Sequence, residues 1–314
     1  MPFREPQSFA MIATGPPALA TDSGEGPHAM AAPVASVTRD YRFLEVHPVA
    51  GSLGAEVLGV DLGRLDDDVF DEIYAAFVAH QVIMFRDQEL TPDQFLAFGR
   101  RWGEIQIYPY AEGLPSHPEI LEVVRTEQDA IAFGNLWHID GSNYAIPPKA
   151  TMLYALEVPP AGGDTMFASM YAAYDALSSG MKAVADTLKG LNVGERQLAF
   201  FSGIKSMTQK DPGDMVVSTL HPVARTHPDT GRKSLFVGHR IEKFDGFTPA
   251  ESAPLIACLR SHALRPEFTC RLGWRVGSLG IWDNRCTQHY AVDDYVGHRR
   301  RMHRITVKGD EAPY

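Results

Sequence analysis

Residues 279–306 read Leu-Gly-Ile-Trp-Asp-Asn-Arg-Cys-Thr-Gln-His-Tyr-Ala-Val-Asp-Asp-Tyr-Val-Gly-His-Arg-Arg-Arg-Met-His-Arg-Ile-Thr. Leu279–Trp282 is a short apolar run with the length and composition of a buried strand, and it delivers His289 a few residues beyond its end. Further on, Arg300, Met302, Arg304 and Thr306 fall at even spacing, so an extended chain places them on one face, opposite His303, Ile305 and Val307. Two arginines on an inward face are costly to bury without anionic partners. The planar guanidinium fork fits a carboxylate or a similar oxyanion. Arg300 and Arg304 therefore read as anion binders, and Arg299 and Arg301, on the alternate face, as a basic surface pair.

Working upstream, Phe133-Gly-Asn-Leu-Trp-His-Ile-Asp-Gly-Ser-Asn carries a histidine and an aspartate two residues apart. In extended backbone His138 and Asp140 project to the same side, with Ile139 turned into the core. One imidazole and one carboxylate make two thirds of the 2-His-1-carboxylate facial triad, which leaves open positions on non-haem Fe(II). Alone, the pair equally fits a surface histidine beside a solvated aspartate. His289, brought in by a strand distant in sequence as a closed barrel allows, supplies the missing ligand.

The remaining pattern agrees with a β-rich body. Strands are expected at Phe43–Val46, Ala55–Val60, Gln81–Phe85, Ile120–Val124, Thr151–Ala155, Ser234–Val237 and His303–Val307, and helices at 66–77, from Thr91-Pro92, and at Met170–Leu177, Met181–Thr187 and Pro249–His262. There is no βαβ rhythm and no glycine-rich phosphate loop, which argues against a nucleotide-binding α/β fold. The expected class is mainly β with peripheral helices (α+β), with a jelly-roll or barrel core. Residues 1–40, rich in Pro, Ala, Gly and Ser, read as a disordered extension, and 41–314 as one domain. Residues 200–217, weakly periodic and rich in turn formers, read as a possible lid.

Composition removes several functional classes. The 314 residues carry 29 Lys and Arg against 39 Asp and Glu, a net charge of −10, so there is no cationic surface for nucleic acid. Three cysteines without a CxxC pair exclude a disulfide framework and fit a reducing, cytoplasmic setting. No apolar run has the roughly 20 residues a bilayer span needs. The expected partner is a small molecule, in a homo-oligomeric protein.

The order HxD, Gly162-Gly-Asp-Thr165, Trp282-Asp-Asn-Arg, His289 and an arginine-rich strand resembles the taurine and phenoxyacetate dioxygenases. These are Fe(II)- and 2-oxoglutarate-dependent enzymes built on a double-stranded β-helix. The resemblance covers Phe43 to the end. It implies that His138, Asp140 and His289 ligate Fe(II), and that Thr165 and Arg300 bind the far carboxylate of the co-substrate 2-oxoglutarate. It also implies that O2 is consumed, with succinate and CO2 released as a substrate is hydroxylated. Arg304 corresponds to the arginine that pairs with the substrate's sulfonate in taurine dioxygenase.

On the substrate side the chain departs from the taurine enzymes. Ile105 stands where they carry a sulfonate-binding histidine, and Gly134 replaces an asparagine that Asn135, one position over, would substitute. Tyr108 is retained. The departures point away from taurine and toward another small anion, a sulfonate, alkyl sulfate or aryloxy or alkyl carboxylate. Tyr108, Tyr110, Phe133 and Trp137 would line an apolar pocket for its body. His47, His117, His221 and His227, each close to a proline, read as structural or exposed. Two other classes stay open: a cupin-like zinc metallohydrolase or isomerase using the same three ligands, and a non-catalytic ligand-binding protein.

Overall fold

The strand expected at residues 303–307 begins three residues earlier, at Arg300, in a computed structural model, which describes residues 40–129, 131–194, 208, 210 and 217–314. Expectations placed on residues 1–40 and 200–217 fall almost wholly outside these. In chain order the elements are β1 (Glu45–Pro48), β2 (Ala55–Leu58), α1 (Asp67–His80), β3 (Val82–Phe85), α2 (Pro92–Arg100), β4 (Ile105–Gln106) and β5 (Leu121–Arg125). Next come β6 (Ala150–Glu157), β7 (Thr165–Ser169), α3 (Met170–Asp175), α4 (Ser179–Thr187), β8 (Lys189–Asn192), β9 (Thr219–Pro222) and β10 (Ala224–Thr226). The chain ends with β11 (Lys233–Leu235), β12 (Ile241–Phe244), α5 (Pro249–Ala263), β13 (Thr269–Leu272), β14 (Leu279–Asp283), β15 (Thr287–Ala291) and β16 (Arg300–Val307).

A large sheet runs in the order β1-β2-β3-β14-β6-β16-β4, with β5 also pairing β16. Within it β2 and β3 are parallel, and the other pairs are antiparallel. A second sheet, β13-β7-β15, lies against it. One apolar cluster joins Leu153, Trp282 and Met302 of the large sheet to Phe167, Cys270 and Leu272 of the small one. Both faces of β16 are therefore covered, and seven of its eight residues are buried.

The outer face of the large sheet is closed by α1 and α2. Asp66 caps α1 by accepting from the Val69 backbone N–H. At α2, Thr91 and Gln94 form a reciprocal capping box ahead of Pro92, so two otherwise orphaned donors are satisfied before the helix begins. Phe77, Phe95, Phe98 and Trp102 from this layer bury against Phe85, Ile305 and Val307 of the sheet. Each such side chain contributes about 1.5–3 kcal/mol on removal from water.

Two expectations change. The first strand starts at Glu45 rather than Phe43, because its register is set by the antiparallel match of Glu45 to Leu58 and of Pro48 to Ala55, and Phe43 stays exposed. More importantly, His289 does not trail a strand end: it lies inside β15, which pairs with β7 across His289–Phe167. The turn between β14 and β15 explains the reversal. Asp283 accepts from the Arg285 backbone N–H and from its Nε and Nη2, and Thr287 Oγ1 donates to the Asp283 carbonyl at 2.7 Å. Arg285 also reaches Asp229 at 2.9 Å. Burial opposes ionisation of Asp283, but Arg285 prevails and holds its carboxyl well below the usual range. The Trp-Asp-Asn-Arg motif is thus a buried hairpin brace.

Candidate metal and substrate site

The two histidines of the expected triad meet through the backbone. His138 N–H donates to the His289 carbonyl and His289 N–H to the His138 carbonyl, both at 2.9 Å. This isolated antiparallel bridge attaches the 134–140 segment beside β15, and a second bond, from Ala291 N–H to the Gly134 carbonyl, extends it. Their ring centroids consequently lie 4.0 Å apart.

Asp140 completes the cluster. Its Oδ1 is 3.6 Å from His138 Nε2 and its Oδ2 3.9 Å from His289 Nε2. One ligand atom from each of the three residues falls within 4.8 Å of the others. His138 Nδ1 faces the Leu136 carbonyl at 2.7 Å; since a carbonyl only accepts, Nδ1 carries the proton and Nε2 keeps its lone pair for the shared centre. Burial pushes both imidazoles below their ordinary pKa, His289 furthest, so both are neutral donors at physiological pH. Burial also opposes ionisation of Asp140, yet Arg304, with Nη2 2.9 Å from Oδ1, keeps the carboxyl well below the usual range. Two neutral imidazoles and one carboxylate, converging with His138 half-buried and Asp140 and His289 buried, are the donor set a divalent iron takes.

Thr151 on β6 supports the carboxylate: its hydroxyl donates to Asp140 Oδ2 at 2.8 Å and accepts from Asn284 Nδ2 at 3.0 Å. Thr151→Val keeps the shape and removes both bonds. We expect metal affinity to fall about 10- to 100-fold, read by competition with a chelator, with the fold retained.

Two hollows share the cluster, and both are bordered by Phe133, Gly134, His138, Asp140 and Arg304. The first extends past His289 to Thr165 and Arg300. Trp274 Nε1 donates to Thr165 Oγ1 at 3.0 Å, and the Arg300 guanidinium carbon lies 5.7 Å above the Trp274 ring. Arg300 is buried, and its Nε and Nη2 find no hydrogen-bond partner among the described residues. The second hollow, about 270 Å³, continues to Tyr108, Tyr144, His239 and Arg240.

The structure thus brings His138, Asp140, His289, Thr165, Arg300, Arg304 and Tyr108 around one centre. Asn135 stands apart: its amide lies 3.5 Å from Asp293, whose carboxylate also takes Ala132 N–H and Arg125, and it borders neither hollow. Tyr110 is buried behind Tyr108, at 5.7 Å between ring centroids, and Trp137 packs on Tyr290 at 5.8 Å. Neither reaches the cavity wall. Arg240, His239 and Tyr144 were not read from the sequence. For the first two a signal existed: they follow the buried run Leu235–Val237, just past a strand end, where sites on β-rich scaffolds are built.

A second grouping, His227, Asp283 and Cys286, is equally close but chemically spent. His227 Nδ1 accepts from the Asp229 backbone N–H, so Nε2 donates to Asp283, whose oxygens already hold Arg285.

Residues 45–306 match the family described as taurine catabolism dioxygenase TauD, TfdA. An alpha-ketoglutarate-dependent sulfate ester dioxygenase of Pseudomonas putida is 36% identical over 279 residues, covering 85% of this chain and 90% of that one. An (S)-phenoxypropionate/alpha-ketoglutarate-dioxygenase of Sphingobium herbicidovorans is 33% identical, covering 85% and 96%. The crystal structure of a taurine dioxygenase from Burkholderia xenovorans superposes with a TM-score of 0.73 at 34% identity, over 87% of this chain and 93% of that one. No helix among the described residues is long and apolar enough to cross a membrane. With its His-Asp-His cluster and these likenesses along most of its length, the chain belongs to the TauD/TfdA dioxygenase family.

Proposed function

We propose that the protein is an Fe(II)- and 2-oxoglutarate-dependent dioxygenase that hydroxylates a small organic anion: a sulfonate, an alkyl sulfate, or an aryloxy or alkyl carboxylate. The observation that carries this is the His138–Asp140–His289 cluster opening on one side to Arg300, whose Nε and Nη2 have no hydrogen-bond partner among the described residues. Relatives acting on a sulfate ester and on phenoxypropionate support the substrate class. Bound at the cluster, ferrous ion would supply the activation of O2 coupled to decarboxylation of 2-oxoglutarate to succinate and CO2.

The chain's own residues do the rest. Thr165 and Arg300 hold the far carboxylate of 2-oxoglutarate, with Trp274 fixing the threonine hydroxyl. Arg304 neutralises Asp140 and, facing both hollows, also meets the anionic end of the substrate, and Tyr108 and Phe133 wall the substrate side. When the attacked carbon bears an ester or ether oxygen, the hydroxylated product collapses to a carbonyl compound and frees sulfate or a phenol. A zinc hydrolase on the same ligands would leave the buried guanidinium of Arg300 unanswered. In this reading the two sheets form a double-stranded β-helix, supported by their shared core. The assembly is a cytoplasmic homo-oligomer, with three unpaired cysteines favouring a reducing compartment.

Adding Fe(II) and 2-oxoglutarate without oxygen tests the reading. A visible metal-to-ligand absorption band is expected, followed on admitting O2 by succinate release that rises with the right sulfate, sulfonate or aryloxy acid. Absence of the band under saturating conditions overturns it.

A further inference from the structure

The dioxygenase reading assigns a negative partner to each of two buried arginines around the cluster. Arg304 lies on Asp140, and Arg300 awaits the far carboxylate of the co-substrate. A third, Arg240, belongs to neither. It is 5% exposed and borders the larger hollow, and its Nε and Nη1 have no hydrogen-bond partner among the described residues. Its electrostatic neighbours are the phenols of Tyr108, Tyr110 and Tyr144 and, beyond them, Asp140. Asp140 is already met by Arg304 and Thr151, and burial keeps the Tyr144 phenol above its ordinary pKa, hence neutral.

The backbone that presents Arg240 is held in place. On α5, Arg260 donates through Nε and Nη2 to the Gly238 carbonyl, at 3.2 and 2.7 Å, and through Nη2 to the Ile241 carbonyl at 3.1 Å. Val193 N–H closes on the Arg240 carbonyl at 3.0 Å. This clamp fixes the 238–241 turn and so aims the side chain of Arg240 at the cavity. A desolvated guanidinium without an anion is costly, and a pre-positioned one recovers that cost when an anion arrives.

We infer that Arg240 is a further specificity-determining residue that, with Arg304, binds the acidic head group of the prime substrate, a sulfate, sulfonate or carboxylate on an apolar body small enough for the cavity. This assignment rests on the dioxygenase reading, because that reading commits Arg300 to 2-oxoglutarate and shares Arg304 between Asp140 and the substrate, leaving Arg240 as the further cation that meets the head group.

The test titrates the full chain with hexyl sulfate, hexane-1-sulfonate and hexanoate, and with 1-hexanol as the uncharged probe. It is run with Fe(II) and 2-oxoglutarate under argon and again without them. In Arg240→Gln, affinity for the preferred anion should fall by about 30-fold or more while 1-hexanol changes by less than about 2-fold. Which anion loses most distinguishes a sulfur oxyanion from a carboxylate. Arg240→Lys, which keeps charge without the fork, should fall between. The ligand-free melting temperature of Arg240→Gln should hold or rise, since a buried unpaired cation is removed. Unchanged anion affinity in Arg240→Gln overturns the assignment, and so does a wild-type chain that binds no anion better than 1-hexanol. Lowered melting in both variants, with lysine retaining full affinity, marks a structural role and overturns it as well. Failure of the absorption band in wild type would instead strike the dioxygenase reading, since the metal-free titrations still report on Arg240.

Discussion

Asp140→Asn is expected to lower metal content from near one ion per chain to a small fraction, and to reduce substrate-dependent succinate release by about 1000-fold or more, since one of three metal ligands loses its charge. The substitution preserves volume, so the effect is electrostatic. Asp140 faces His138 and His289 at 3.6 and 3.9 Å and is the carboxylate among the three. It is also the anion against which Arg304 rests at 2.9 Å. The amide leaves that buried guanidinium uncompensated, and breaking one half of a buried pair costs about 3–5 kcal/mol. The metal-free variant should therefore melt below the metal-free wild type. His289→Ala also loses a ligand but leaves the Asp140–Arg304 pair intact, so its melting penalty reflects only the cavity and the lost packing on Trp282, 4.6 Å away. Metal analysis and thermal melts of both variants separate ligand from ion-pair effects. An Asp140→Asn chain with full metal and turnover would remove this residue from the centre.

Much of the site was legible because its residues sit on regular backbone. The two-residue alternation put His138 beside Asp140 and aligned Arg300 with Arg304, and β16 is indeed extended from Arg300 to Val307. On the alternate face, Arg299 and Arg301 pair with Glu157 and Glu122 at the surface, as periodicity alone suggested. Other features depended on contacts that spacing does not encode. β15 has no continuous apolar run, and it exists because the Asp283–Arg285 brace turns the chain back onto β7. Asn135 is drawn off by Asp293, 158 residues away in sequence. Arg240 sits in a turn that belongs to no motif and is held by Arg260 from a different helix. Long-range polar contacts of this kind fix side-chain direction at the strand ends, where a single sequence carries little pattern.

Arg300→Gln should raise the 2-oxoglutarate requirement by about 150-fold, corresponding to about 3 kcal/mol for a buried charge-assisted contact. Two opposing energies set this expectation. In the absence of ligand, Arg300 is a cation within the protein whose Nε and Nη2 lack partners among the described residues. Burial depresses its pKa, partly offset by Tyr295. Glutamine relieves that cost, so the ligand-free melting temperature should hold or rise. With 2-oxoglutarate present, the wild-type guanidinium meets the far carboxylate in a water-poor pocket beside Thr165 and Trp274, and glutamine supplies a neutral amide instead. The stabilisation lost is thus confined to the ligand-bound state. The signature is a large rise in KM for 2-oxoglutarate, a near-normal KM for the prime substrate, and a smaller increment in melting temperature on adding 2-oxoglutarate with Fe(II). Arg300→Lys retains the charge as a point donor and should recover part of the affinity. If Arg300→Gln bound 2-oxoglutarate as the wild type does, the far carboxylate would have to be held elsewhere. Arg240, whose Nε and Nη1 lack hydrogen-bond partners among the described residues, would then be the next cation to test as its anchor.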